Sequence, residues 1–207
     1  MVLAGLPKVG KTVALRTLPG RTLIADVEDG QLSNQGYDIP AVKIETWADA
    51  VELKTRLLTD QQFALFDCIA IDSISELAEI KLAEEFKNNT NKLAAYGAMS
   101  NDLTQWLKEM IKLPQHIIFI CKYQRNKDGH MQPLFPGNNL AENLFCWLDE
   151  VLIMRMIPDK KNIAQRVIQC QSCDEHQAGD RSGQLEFFEL PDLGAIINKI
   201  QSGGIQQ

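Results

Sequence analysis

The chain has 207 residues, 45% of them hydrophobic and 23% charged, enough for one well-filled domain and too short for two ordinary ones. Its net charge of −6 excludes a broadly basic nucleic-acid surface, so any contact with DNA or RNA needs a local cluster of Lys and Arg. No stretch is biased enough to read as a disordered tail. The longest apolar runs, such as Ile117–Cys121 and Val151–Met154, are far too short to cross a bilayer.

Met1 leads straight into an apolar run and a Gly-rich loop, without the basic region, long apolar segment and cleavage site of a secretory signal. A cytoplasmic protein is expected, with no membrane contact. Five cysteines are an odd number, and three of them lie inside apolar segments, which suits reduced thiols better than a disulfide framework.

Along the chain, short apolar runs alternate with amphipathic segments, the pattern of an α/β layer architecture. A first strand, Met1–Ala4, enters the loop Gly5–Gly10, and a helix follows from Lys11 to about Leu18, where Pro19-Gly20 stops it. A second strand, Thr22–Asp26, runs into the acidic turn V-E-D-G. Trp47–Leu58 reads as a helix with Trp47, Val51, Leu57 and Leu58 near one face. Cys68–Asp72 is a buried strand, followed by helices over Ile74–Phe86 and Leu93–Leu113. In the second helix Met99, Leu103, Trp106, Leu107 and Met110 recur at spacings of three and four. His116–Lys122 is continuously apolar, as a parallel strand covered on both faces would be.

Tyr123–Asn139 is polar and broken by Asp128-Gly129, Pro133, Pro136 and Gly137. Asp149–Ile157 and Ile163–Gln171 then read as an antiparallel hairpin joined by P-D-K-K-N. A short strand, Gln184–Phe188, and a helix, Asp192–Ile200, complete the pattern. With no internal repeat and no linker, one domain over residues 1–207 is expected.

G-L-P-K-V-G-K-T at Gly5–Thr12 fits G-x-x-x-x-G-K-[ST] at every required position. Glycines let such a loop wrap its backbone N–H groups around phosphate oxygens, and the following helix adds its positive end. The nucleotide contacts expected are Gly5, Leu6, Pro7, Lys8, Val9, Gly10, Lys11, Thr12 and Val13. Lys11 reaches the β- and γ-phosphates of ATP, and the Thr12 hydroxyl ligates Mg²⁺. C-I-A-I-D-S adds Asp72 at the end of an apolar strand, where a carboxylate holds the magnesium shell through water. Taken alone, an Asp there is more often a helix N-cap, and Ser73 could equally cap the helix from Ile74; the intact phosphate loop upstream favours the metal role.

With L-I-A-D-V-E-D-G, P-G-N-N-L-A-E-N-L-F-C-W-L-D-E-V and D-R-S-G-Q-L-E-F-F-E-L-P-D-L-G-A-I-I-N-K-I, these motifs make nearly the whole chain resemble the RecA-like P-loop ATPases. Within them it resembles the small phage nucleotide-binding proteins regarded as single-strand annealing recombinases. The resemblance implies a RecA-like P-loop NTPase fold: a mostly parallel central sheet flanked by helices, with a C-terminal antiparallel hairpin. It implies hydrolysis of ATP with Mg²⁺, stimulated by DNA, and recombination or annealing of single-stranded DNA. A homo-oligomer, as ring or filament, and a single-strand binding protein are the implied partners.

The same resemblance assigns residues. Glu28 stands where the family has the carboxylate that polarises the attacking water; the residues themselves also allow a solvated acidic turn of Asp26, Glu28 and Asp29. Lys122 stands where RecA has a glutamine as γ-phosphate sensor, with Gln124 two residues on as the other candidate. Tyr123–Asn138 corresponds in position to a mobile loop that contacts single-stranded DNA. There Arg125, Lys127 and His130 would meet phosphates, and Tyr123 would stack on a base; an ordinary solvated loop is the bland reading. Arg181 is the candidate for a cation reaching a neighbouring subunit's nucleotide, set against a plain surface arginine.

Two further patterns are weaker. Cys170, Cys173 and His176 have a spacing that could hold part of a zinc site, though no fourth ligand is evident nearby. N-K-D-G at Asn126–Gly129 has its Asp one position too early for a guanine-reading signature and is rejected. Two other functions compete with the DNA-dependent ATPase: a P-loop kinase of a small molecule, and a nucleotide-dependent assembly protein that barely turns ATP over.

Overall fold

The computed structural model describes residues 1–127, 129–136 and 140–203. Five strands run parallel in its centre: β1 (Val2–Gly5), β2 (Thr22–Asp26), β4 (Cys68–Asp72), β5 (His116–Arg125) and β7 (Glu150–Pro158). The short β3 (Ala41–Lys43) extends the parallel set beyond β2. On the other side β8 (Ala164–Gln169) turns back against β7, and β10 (Phe188–Glu189) follows it. The order across the sheet is β10-β8-β7-β1-β5-β4-β2-β3. Two side pairings complete it: β6 (Met131–Pro133) lies antiparallel on the end of β5, and β9 (Gly179–Asp180) on the start of β7. This is the mostly parallel α/β sheet with an antiparallel hairpin that the sequence implies.

β5 shows why the sheet is central. Ile117, Phe119 and Cys121 enter one apolar core, while Ile118 and Ile120 enter the other. A strand with alternate residues buried on opposite faces must be apolar throughout. The larger core is closed by α2 (Trp47–Thr59), α3 (Ile74–Asn88) and α4 (Lys92–Met110), the smaller by α1 (Lys11–Ala14) and α6 (Leu193–Gly203). On α4, Met99, Leu103, Trp106, Leu107 and Met110 are all buried, and each such Leu or Met stabilises by about 1.5–3 kcal/mol. Trp106 also donates its indole N–H to the Ala50 carbonyl at 3.0 Å, which ties α4 to α2. That helix starts at a reciprocal cap, with Thr46 accepting from the Asp49 N–H and the Asp49 carboxylate accepting from the Thr46 N–H. Such a cap contributes about 1 kcal/mol.

Several expectations need correction. The buried face of α2 is Ala50, Leu53 and Leu57, while Val51 and Leu58 are exposed; the true stripe is the 3–4 spacing through a small Ala. The phosphate-loop helix keeps α-geometry only to Ala14 and tightens into a 3₁₀ turn over Leu15–Thr17. That turn is buttressed by α6: Thr17 Oγ1 accepts from the Leu193 N–H at 2.7 Å, and a β-carbon at Gly194 would lie 2.4 Å from the Thr17 carbonyl. The expected strand Gln184–Phe188 is reduced to Phe188–Glu189. Residues 123–136 are not wholly irregular either. β5 runs on to Arg125 and folds back as β6, pairing Tyr123 with Pro133 and Arg125 with Met131. Asp128 and Gly137–Asn139 lie outside the described residues, so the far end of that segment and the start of P-G-N-N-L-A-E-N are not covered. The chain resumes as α5 (Leu140–Trp147). Among the described residues no helix is long and apolar enough to cross a membrane.

Candidate nucleotide-binding site

The site forms where the parallel strands end. β1 stops at Gly5, wedged between Lys122 of β5 and Met154 of β7 in register. A β-carbon at Gly5 would lie 2.8 Å from the Met154 carbonyl oxygen and 2.9 Å from Val9 Cγ1, so only glycine lets the chain leave the sheet there. The loop then turns through two left-handed residues, Lys8 at φ 62° and Gly10 at φ 107°. Sequences of such conformations point backbone N–H groups into one concavity. No side chain caps the first turn of α1, so its amides stay available to an anion.

Lys11 lies back over the loop, its ammonium donating to the Gly5 and Leu6 carbonyls at 2.9 and 3.0 Å. Burial lowers its pKa, opposed by the charges of Asp72 and Glu28. The Thr12 hydroxyl donates to Asp72 Oδ2 at 2.7 Å. Burial pushes the Asp72 carboxyl up to about 6, with the Thr12 hydrogen bond acting against that rise. A hydroxyl and a nearly dry carboxylate held together are hard oxygen donors of the kind magnesium takes beside phosphates. The residues therefore fit both a triphosphate and its metal.

The two readings of Asp72 separate cleanly in space. Ser73 takes the cap of α3, accepting from the Glu76 N–H at 3.4 Å, which leaves Asp72 for Thr12. Ser73 Oγ also donates to Glu28 in a short hydrogen bond. Glu28 is fixed from behind as well, since the Val27 and Glu28 N–H groups both donate to the Asp72 carbonyl, at 2.8 and 3.3 Å. The acidic turn is thus not three equivalent carboxylates. Asp26 is buried and accepts from the Gly30 N–H at 3.1 Å, and Asp29 faces Lys43 at 3.8 Å. Glu28 alone turns toward the loop.

Lys122 joins this group. Its ammonium is 3.3 Å from Glu28 Oε1 and 2.6 Å from Glu76 Oε2. Burial works against its charge, but the Glu76 and Glu28 carboxylates outweigh that and raise its pKa. Lys11, Thr12, Glu28, Asp72 and Lys122 therefore form one cluster beside the loop. Gln124 does not join them, because it lies past the end of β1 and pairs with Gln132 of β6.

The expected DNA-contacting residues divide. Tyr123 is 6% exposed and belongs to the larger core, so it is not available to stack on a base. Continuing β5 by three residues fixes its alternation and turns Tyr123 inward. Arg125 and Lys127 are exposed on the hairpin, with Arg125 Nη1 donating to the Gly129 carbonyl at 2.6 Å. His130 is half-buried in the turn, where Asn126 and His130 exchange backbone and side-chain bonds. Arg181 sits at the opposite end of the sheet, bonded to Asp149 Oδ1 at 2.6 Å and to the Cys146 carbonyl at 3.2 Å, and it does not approach this chain's loop. Cys170 is fully buried in the smaller core while Cys173 is exposed. Among the described residues no three metal-ligating side chains converge, which removes the zinc reading.

One residue near the loop is not marked by the sequence. Arg166 of β8 lies directly against Gly10: a β-carbon built there would sit 2.7 Å from its Cζ. No local pattern singles it out, since it follows Ala164-Gln165 in an ordinary strand, and only the β7–β8 pairing carries it across.

A sheet of this order, with the G-x-x-x-x-G-K-T turn at the end of β1 and an acidic strand end bonded to its threonine, defines a P-loop nucleotide-binding domain of the ATPase class. A family model described as AAA domain matches residues 1–182, and the chain belongs to that family. No curated protein matches the chain.

Proposed function

We propose that this domain binds ATP with magnesium at Gly5–Val13, hydrolyses it with Glu28 as the water-orienting carboxylate, and couples that cycle to single-stranded DNA in annealing or recombination. The observation that carries the reading is the continuity of β5. One strand supplies Lys122, which pairs with Glu28 beside the phosphate loop, and three residues later Arg125, which is exposed on the hairpin. A phosphate backbone held at Arg125 and Lys127 would act on Lys122 through a single hydrogen-bonded strand.

The geometry supports the following division of labour. The loop amides and Lys11 bind and orient the phosphates, and positioning with electrostatic stabilisation is most of what phosphoryl transfer asks of a protein. Thr12 and Asp72 would hold the magnesium ion, Asp72 through water, and the ion would supply neutralisation of charge on the phosphate oxygens. Glu28, ordered by Ser73 and by two backbone N–H bonds behind it, accepts a proton from water. Lys122 governs how firmly Glu28 is held. A small-molecule kinase would need, in addition, an acceptor site opposite the γ-phosphate.

The test is ATP turnover measured with and without single-stranded DNA. Stimulation by DNA, abolished when Arg125 and Lys127 are both replaced by Ala, is the expected result. The double variant should also reduce the slope of log affinity against log salt by about 1.4, roughly 0.7 for each phosphate of a single strand that a cation no longer neutralises. Turnover indifferent to DNA would remove the DNA role and leave an assembly ATPase.

A further inference from the structure

Arg166 is long, cationic and exposed, yet it neither ion-pairs nor hydrogen-bonds among the described residues. Its cross-strand partner on β7 is Met156, which offers no acceptor side chain, whereas Arg155 one residue earlier donates to Gln169 Oε1 at 2.8 Å. Alternation along β8 puts Arg166 on the face of Ile168 and Cys170, which pack in the smaller core with Ala14 and Leu15 of the phosphate-loop helix and its 3₁₀ turn. Arg166 is the next residue outward on that face, where the apolar layer ends and the loop begins.

The contact geometry says which part of the guanidinium is free. A β-carbon at Gly10 would lie 2.7 Å from Cζ, 2.8 Å from Nε and 3.1 Å from Nη1. Since no nitrogen is closer than the carbon, Gly10 meets the flat face of the group and not its N–H edge. The donors therefore point past the loop, parallel to its surface, and remain unspent. Gly10 meets two demands at once: a left-handed φ of 107°, and room for this face.

We propose that Arg166 is a nucleotide-binding residue of its own chain's site, donating its N–H edge to the polyphosphate of a nucleoside di- or triphosphate. A planar fork of donors matches phosphate oxygens two at a time, and this fork is held against the turn that binds them. It supplies from within the chain the arginine that Arg181, paired with Asp149, does not bring to the loop. The inference rests on the nucleotide reading of Gly5–Val13 and adds a residue outside the motif.

The experiment is a calorimetric titration of the wild type, Arg166→Ala and Arg166→Lys with MgATP and with magnesium tripolyphosphate, which has no base. Unfolding midpoints of all three are recorded alongside. Arg166→Ala should weaken both ligands to a similar extent, by about tenfold or more, as expected for a hydrogen bond to a charged group. Arg166→Lys should recover part of the affinity, and the midpoints should agree. Unchanged affinity for both ligands overturns the proposal. So does a weakening confined to MgATP, which would place the contact on the base or sugar. So does a Lys variant as weak as the Ala variant with a lowered midpoint, which would make the role structural. If the wild type binds neither ligand, the reading of the loop itself has failed.

Discussion

The two ends of the central sheet both carry charged groups and use them differently. Where the parallel strands end, Lys11, Glu28, Asp72, Lys122 and Arg166 gather around a loop of backbone amides, cations beside carboxylates. Where the strands begin, Glu150 is buried near Asp180, and Arg181 is paired with Asp149. The first end leaves its cations close to a turn with no side-chain cap, while the second has its arginine consumed by a neighbouring carboxylate. The same residue types thus face a loop of uncapped amides at one end and one another at the other. Arg166 and Arg181 make the point directly, since both are arginines near strands of one sheet and only the former reaches the loop.

Substitutions at each end sharpen the contrast. The largest effect belongs to Lys11→Ala, which should weaken ATP binding by a hundredfold or more, about 3 kcal/mol, because it removes the half-buried ammonium that lies over the loop. Equilibrium titration checks this, and affinity within threefold of wild type would break the comparison. Glu28→Gln should leave binding intact and reduce turnover by about a hundredfold or more, in the range of one acid–base contribution. A steady-state assay under saturating MgATP decides it; unchanged turnover would return Glu28 to a solvated turn.

The smallest effect lies at the other end. Burial first, and the neighbouring Asp180 carboxyl second, push the Glu150 carboxyl up to about 8. A folded-state value raised above the unfolded one means the folded protein keeps a proton that the unfolded chain has released. Stability from this group is therefore full below about pH 4.5 and declines as pH rises through about 8. Glu150→Gln, which mimics the protonated form, should remove that decline and raise the unfolding midpoint at pH 8.5 by a few degrees, about 1 kcal/mol. ATP turnover should not change. A midpoint that falls at every pH would show that the ionised carboxylate is needed.

What can be read from the sequence follows the same division. The parallel strands announce themselves, because a strand buried on both faces has no polar residues to confuse the pattern; β2 and β4 have the expected bounds. The loop is legible because its φ values and close approaches demand glycine at fixed spacing. The hairpin after Lys122 is not, since Asp128-Gly129 and Pro133 suggest irregularity while backbone pairing continues β5 and turns Tyr123 inward. Val51 and Leu58 mislead because a small Ala50 outweighs them at the helix contact. Arg166 leaves no trace in the sequence, since its position depends on the pairing of β7 with β8 and on no local pattern.

The central claim is that the loop holds a triphosphate whose metal is held by Thr12 and Asp72. The measurement that meets it most directly is calorimetry of ATP binding with and without magnesium, on the wild type and on Thr12→Val, which keeps the shape of Thr12 and removes only its hydroxyl. The expected result is that magnesium tightens binding to the wild type by tenfold or more, about 1.4 kcal/mol, and that the variant still binds ATP but gains little from the metal. ATP binding to the wild type that is absent, or indifferent to magnesium, would contradict it.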